Sequence, residues 1–276
     1  MKWMLMFFVV LGLCPGVSAE PLCTHIDIDW LAKHASLPAD ARIVHKKDQG
    51  DLCEVVLSLE GDLVPVYAGK DFLLVGKLFK NQKFITGETL DSLGEVAREE
   101  RLKADEKEAL NKEKRKAFLQ KNLKVLADLT LFSFKPGKAD RFLYVITDPN
   151  CSYCKKLMPE LEILAMENHI EIRVILFPVL GSKSREMAAQ AICEKLSYEA
   201  YGQMQFVPGS KCSQADLLLG KTMPFFSDAG FSFVPVVISG DGAWVVEGSD
   251  LAQVKQHLGI SCDEVDGVAP KGCGKD

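Results

Sequence analysis

The sequence lacks the features that define several large classes of protein. Lys and Arg number 33 against 38 Asp and Glu, so the net charge is −5 and no positive excess draws the chain to nucleic acid. After the apolar run near its N-terminus, no stretch approaches the roughly 18 apolar residues of a membrane span. There is no internal repeat, and a hydrophobic content of 47% excludes a disordered, collagenous or low-complexity chain. We therefore expect a globular protein of two domains, without a nucleic-acid partner and without a membrane span in the mature chain.

The chain also lacks the ligands of a structural zinc site. Such a site needs about four ligands, usually in matched pairs. The only Cys-X-X-Cys pair is Cys151–Cys154, and the five histidines form no ligand pair near it. We predict neither a metal nor a cofactor. Half of a zinc site and a purely structural disulfide are the alternatives for the cysteine pair.

Residues 1–19 have the pattern of a secretory signal peptide. Lys2 is followed by the apolar run Trp3–Leu13 and by small residues that end at Ala19. We expect cleavage before Glu20 and export of the mature chain. A lipid anchor at Cys14 is the alternative, but a leucine precedes it where a small residue is required.

Removal of this segment leaves an even number of cysteines. An even count in an exported chain indicates disulfides. The eight positions are Cys23, Cys53, Cys151, Cys154, Cys193, Cys212, Cys262 and Cys273.

The pattern of apolar and charged residues divides the mature chain into four segments. Residues 20–90 read as a small α+β domain, and more than half of the residues from 95 to 124 are charged, which predicts a helical linker at 91–128. Residues 129–260 follow the order β-α-β, helical insertion, β-β-α, and residues 261–276 form a tail.

Three strands are predicted in the first domain. They alternate with Gly-containing turn signals, as in an antiparallel meander, and lie at Cys53–Leu59, Leu63–Tyr67 and Phe72–Leu78.

The segment Cys151-Ser152-Tyr153-Cys154 carries the predicted chemistry. It follows a buried-type strand and opens a helix, so Cys151 lies at a helix N-terminus, where free N–H groups and the helix dipole favour a thiolate. Cys154 lies one turn further on, close enough to close a disulfide. We predict an accessible Cys151 as the attacking nucleophile and Cys154 as the resolving thiol. Tyr153 either contacts substrate or packs.

A second signal lies far downstream, at Val234-Pro235. A proline that leads a strand can be cis in a tight turn, and a loop of this kind opposite the cysteines could present backbone groups to a substrate peptide. Four neighbouring aromatic residues are either core or an apolar surface that faces substrate; they are Phe225, Phe226, Phe231 and Phe233.

These residues resemble the thioredoxin superfamily, and more closely the DsbC/DsbG family of bacterial periplasmic thiol:disulfide interchange proteins. The resemblance is carried by Phe142–Lys156 and by Val234-Pro235. It implies an α/β thioredoxin-like fold with a helical insertion, plus a small α+β N-terminal dimerisation domain joined by a long charged helix. It also implies a structural disulfide between Cys193 and Cys212, a periplasmic homodimer, and reduction by a membrane reductase of the DsbD type.

The expected function is that of a disulfide isomerase or reductase acting on exported proteins with wrong disulfides. Val234 departs from the Thr that usual isomerases carry before this proline, and so favours a dithiol oxidase as an alternative. A periplasmic chaperone with secondary redox activity is a third hypothesis. The other four cysteines are interpreted as structural, with Cys23–Cys53 and Cys262–Cys273 favoured among three possible connectivities.

Overall fold

The chain is divided into two compact units. The computed structural model describes residues 22–203, 209 and 211–260. The units are Met1–Glu108 and Ala109–Asp276, and their boundary falls inside one long helix. The predicted signal peptide, and the tail with Cys262 and Cys273, lie outside the described residues.

The first unit contains a four-stranded antiparallel sheet, a separate two-stranded hairpin and helices. The sheet has the order β1-β2-β3-β4, and the hairpin pairs β5 with β6. A short 3-10 helix comes first, at Leu22–His25. The strands are β1 Arg42–Asp48, β2 Cys53–Leu59, β3 Asp62–Ala68, β4 Leu73–Val75, β5 Phe79–Lys80 and β6 Lys83–Phe84. The helices are α1 Ile28–His34, α2 Ile85–Ser92 and α3 Gly94–Lys121, of which the last crosses the unit boundary.

Strand β2 is buried on both faces, because an apolar cluster covers one face and polar contacts that include helix α2 cover the other. Alternate side chains of a strand point to opposite faces. Cys53, Val55 and Leu57 enter one apolar cluster, in which Cys53 forms a disulfide with Cys23. Glu54 is fully buried and accepts hydrogen bonds from Gln49, Tyr67 and Thr89, the last of which lies on α2.

Glu100 of helix α3 forms hydrogen bonds and ion pairs with the first sheet. Ser58 of β2 donates to the buried Glu100 carboxylate at 2.7 Å, and both Arg42 and Lys103 pair with it. These three partners lower the pKa of Glu100, the hydrogen bond from Ser58 most strongly. A charged residue can be buried here because donors surround it.

The second unit contains a five-stranded sheet with helices on both faces. Its strands have the order β11-β10-β8-β9-β7. They are β7 Phe132–Phe134, β8 Arg141–Thr147, β9 Ile170–Leu176, β10 Val236–Ser239 and β11 Val245–Glu247. The helices are α4 Leu123–Leu129, α5 Ser152–Asn168, α6 Ser182–Cys193, α7 Tyr198–Gly202, α8 Ser213–Asp228 and α9 Leu251–Leu258.

Successive side chains of β8 pack alternately into two separate apolar clusters. Leu143 and Val145 pack against α5 in one apolar cluster. Tyr144 and Ile146 face the other cluster, which contains Phe226 of α8 and Leu119 of α3. The run of apolar residues in this strand is therefore that of a central strand covered on both faces.

The topology brings three chain segments to one edge of the sheet. Strands β8 and β9 are parallel, so the segments after Thr147 and Leu176 leave from the same edge. Strand β10 is antiparallel to β8 and begins opposite Ile146, so the segment before Val236 reaches this edge as well. The loops that carry the predicted site residues therefore converge.

None of the helices within the described ranges has the length and apolar content that a bilayer crossing requires.

Candidate active site

Cys151 is the N-cap residue of α5. Its sulfur accepts a hydrogen bond from the backbone N–H of Cys154 at 3.2 Å, and its own N–H donates to the carbonyl of Asp148. The first turn of α5 contains no acidic side chain. A sulfur in this position receives the unpaired N–H groups of the helix start, which stabilise negative charge. The arrangement suits a thiolate at Cys151.

Cys154, in contrast to Cys151, is held as a neutral thiol. It is 2% exposed, and both active-site cysteines are free thiols. Burial, and next its hydrogen bond with Cys151, raise the pKa of Cys154 to about 12. Cys154 is therefore protonated at neutral pH, and the two sulfurs differ in the way that a nucleophile and a resolving thiol require.

The Val234-Pro235 bond is cis and lies over Cys151. The sulfur of Cys151 donates to the carbonyl of Val234 at 3.8 Å, across 83 positions of sequence. Pro235 is buried and Val234 is half-buried. The structure thus places this loop opposite the cysteines.

Cys151 is less accessible than the sequence predicts. The residue is only 4% exposed, because the carbonyl of Val234 covers its sulfur. The expectation of an openly accessible nucleophile is wrong for this state of the chain. A disulfide that reacts with Cys151 must displace the contact with Val234, or the loop must move.

Three exposed apolar side chains lie at this end of the second unit, Tyr153 in the first turn of α5 and Leu180 and Phe233 in the converging loops. Tyr153 is 62% exposed, Leu180 is 51% exposed and Phe233 is 44% exposed. Contiguous exposed apolar side chains commonly mark an interaction surface. Tyr153 and Phe233 were candidates from sequence, whereas Leu180 was not, since a lone leucine in a loop gives no signal.

Asp148 fastens the turn that precedes Cys151. Its carboxylate is fully buried and accepts from the N–H of Asn150 at 2.7 Å and from the N–H of Leu180 at 3.1 Å. The first bond is an Asx turn, which the Asp-Pro-Asn sequence favours. The second connects the loop after β8 to the loop after β9, and only the fold reveals it.

A small cavity lies behind Cys154. Its volume is about 70 Å³, and its lining includes Thr147, Asp148, Cys154, Tyr198 and Tyr201. Burial raises the pKa of both tyrosines. The hydroxyl of Thr147 is buried among these side chains.

Four further predicted cysteines that the structure describes lie outside this site. Cys193 at the end of α6 forms a disulfide with Cys212, the N-cap residue of α8, and both are half-buried. Cys23 and Cys53 pair within the first unit. No group of three His, Cys, Asp or Glu side chains within the described ranges could hold a metal ion.

Comparison with known proteins identifies the class of the second unit. Residues 135–250 match the family model of a thioredoxin-like domain. The strand-to-helix Cys-X-X-Cys and the facing cis-proline lie inside this range. Fold and site together define a thiol–disulfide oxidoreductase of the thioredoxin type.

Similar solved structures include several proteins with Dsb or Scs names. A linker-deletion variant of Proteus mirabilis ScsC is 14% identical, with a TM-score of 0.47, and the match covers 66% of this chain and 97% of that one. The thiol-disulfide exchange protein α-DsbA2 of Wolbachia pipientis is 16% identical, with a TM-score of 0.42 and coverages of 52% and 94%. Helicobacter pylori DsbG is 16% identical, with a TM-score of 0.35 and coverages of 72% and 93%. No curated protein matches the sequence.

Proposed function

We propose that the protein rearranges wrong disulfides in exported proteins by thiol–disulfide exchange at Cys151. The observation that carries the proposal is the asymmetry of the pair. Cys151 caps a helix N-terminus and accepts a hydrogen bond from the Cys154 amide, while burial keeps Cys154 protonated. The helix start favours a thiolate at Cys151, which can attack once its contact with Val234 is displaced, and burial favours a neutral thiol at Cys154, which can resolve the mixed disulfide.

The first step is attack by the Cys151 thiolate on one sulfur of a substrate disulfide. The substrate S–S bond breaks, a mixed disulfide with Cys151 forms, and the second substrate sulfur leaves as a thiolate. The N–H groups at the start of α5 stabilise the Cys151 thiolate before attack and again when it is released.

Two routes then resolve the mixed disulfide. When a substrate thiolate attacks it, a new substrate disulfide forms and Cys151 is regenerated, with no net redox change. When Cys154 loses its proton and attacks instead, a Cys151–Cys154 disulfide forms and the substrate leaves reduced by two electrons. The second route requires a dithiol reductant to restore the pair, and we propose a membrane reductase of the DsbD type for this role.

Single-cysteine variants test the proposal. The purified mature protein should reactivate ribonuclease with scrambled disulfides, and Cys151→Ala should abolish this activity. Cys154→Ala should retain shuffling but accumulate the mixed disulfide, which a non-reducing gel detects. A wild-type protein without reactivation, or a fully active Cys151→Ala, would refute the isomerase.

An oxidase is the second candidate, because Val and not Thr precedes the cis-proline. The redox state of the Cys151–Cys154 pair in cells separates the two functions. A mostly reduced pair supports isomerase or reductase, whereas a mostly oxidised pair supports disulfide donation.

We further propose that the chain acts as a periplasmic homodimer, joined through its first unit. Strand β4 is the edge of the first sheet and carries Leu74 and Val75, which are 54% and 71% exposed. Phe79 of β5 is 64% exposed. An apolar edge strand offers unpaired backbone groups and apolar side chains to another strand, and a second copy supplies a matching edge.

Sedimentation of the mature protein tests this assembly. A mass of two chains is expected, and Val75→Asp should shift it toward one chain. Lys70→Asp, on an exposed side chain in the turn before β4, is the control and should remain dimeric. A wild-type protein that sediments as one chain at all concentrations would exclude the dimer.

A further inference from the structure

Arg115 near the end of α3 contacts four residues of the second unit. Its side chain is 15% exposed, and it forms an ion pair with Glu247. Its Nε donates to the carbonyl of Ala229 and its Nη2 to the carbonyl of Gly230, both at 3.3 Å. Its guanidinium carbon lies 4.5 Å from the ring centre of Phe231. The planar fork of arginine can serve these partners at once, which an ammonium group cannot.

The contacts of Arg115 border the cis-proline loop on both sides. Ala229 to Phe231 lead into Val234-Pro235 along the chain, and Gly230 adopts a φ of +80°, which glycine tolerates. Glu247 pairs with Val236 in the ladder that follows the loop, and the N–H of Gly248 donates to the carbonyl of Pro235 at 2.8 Å. Arg115 therefore holds the segment before the loop and the strand beside it.

We propose that Arg115 is a positioning residue that holds the Val234-Pro235 loop over Cys151. The proposal rests on the proposed exchange activity, and it gives α3 a role in the active site. The loop supplies the carbonyl that Cys151 contacts at 3.8 Å. Since the loop covers the sulfur and also faces the substrate, its release should have opposite effects on two reactions.

The first reaction is exchange with a disulfide-bonded peptide, which needs the loop in place. The second is alkylation of Cys151 by iodoacetamide, a small reagent that the covering loop excludes. In Arg115→Met, which keeps the apolar stem, we expect peptide exchange to fall about tenfold, mainly through KM, and alkylation of Cys151 to rise severalfold. Lys114→Met is the matched control, since Lys114 is exposed on the same helix. It should leave both rates within twofold of wild type.

Mass spectrometry of the alkylated protein separates loop release from general loosening. Loop release exposes Cys151 and leaves Cys154 unlabelled, whereas unfolding exposes both. Arg115→Lys keeps the charge without the fork and should lie between wild type and Arg115→Met. If Arg115→Met does not fold, Glu247→Gln removes the ion pair with little change in volume. This variant should also slow peptide exchange and speed alkylation of Cys151.

The outcomes distinguish this inference from the proposed function. If wild type and Lys114→Met lack peptide exchange, the proposed function fails. If they exchange and the foldable Arg115 and Glu247 variants match them in both rates, the positioning role is refuted. The positioning role is also refuted if peptide exchange and alkylation of Cys151 both rise or both fall, or if Cys154 is labelled together with Cys151.

Discussion

Replacement of Asp148 by Asn removes a buried acceptor on which two loops depend. The carboxylate of Asp148 accepts from the backbone N–H groups of Asn150 and Leu180 and has no exposed surface. An asparagine has one acceptor oxygen, so one of these N–H groups would face an NH₂ group and lose its partner. A hydrogen bond to a charged group contributes about 1.5–3 kcal/mol, so Asp148→Asn should lower the free energy of unfolding by about 2–3 kcal/mol. The melting temperature should fall by roughly 5–10 °C.

The assay must follow the second unit alone. Trp30 lies in the first unit and Trp244 in the second, so in the mature chain with Trp30→Phe the fluorescence of Trp244 reports urea unfolding of the second unit. Asp250→Asn is the matched control. Asp250 caps α9 by accepting from Gln253, and Asn caps as well as Asp. If Asp148→Asn costs no more than this control, the assignment of the two bonds as stabilising is refuted.

Three further predictions concern pH and disulfides. The pKa of Cys154 is raised from its usual 9.0 to about 12. The free energy of unfolding should therefore be unaffected by this group below pH 9 and should fall by up to about 1.4 kcal/mol per pH unit as pH rises from 9 toward 12. In urea unfolding, Cys154→Ala should flatten this loss. The pKa of Glu100 is lowered from its usual 4.5, so its contribution to the free energy of unfolding is present above that pH and lost below it. The difference in unfolding free energy between wild type and Glu100→Gln, followed by Trp30 fluorescence, should therefore shrink as pH falls from 6 to 3. The Cys23–Cys53 bridge closes a loop across a sequence separation of 30, so replacement of both cysteines by Ala should destabilise the first unit by about 3–4 kcal/mol; an unchanged urea midpoint would contradict this.

In the first sheet, the central strands could be predicted from sequence, whereas the edge strands could not be placed correctly. Strand β2 lies where its run of apolar residues predicts it. Strand β1 was missed because it ends in His-Lys-Lys-Asp and its register with β2 shifts between Ile43 and His45, which hides the alternation. Phe72–Leu78 was predicted as one strand, but only Leu73–Val75 pairs with β3. Edge strands exist because a neighbour pairs with them, so their own sequence carries little signal.

The same limit applies to the site. The order of strand, Cys-X-X-Cys and helix is local, so the placement of Cys151 and Cys154 follows from sequence. The burial of Cys151 does not, because it depends on the carbonyl of Val234, which belongs to a distant part of the chain. The bond from Leu180 to Asp148 cannot be predicted either, because it requires the parallel pairing of β8 and β9.

The covered position of Cys53 has a consequence for copies of this protein that meet in solution. A thiolate attacks a disulfide in line with the S–S bond, so the attacked sulfur must be open on the side opposite the sulfur that leaves. Cys53 has no exposed surface, and Cys23 has 8%. The Cys23–Cys53 disulfide of the first unit is therefore closed to the thiolate of a neighbouring copy, whereas the Cys193–Cys212 disulfide of the second unit is half-buried.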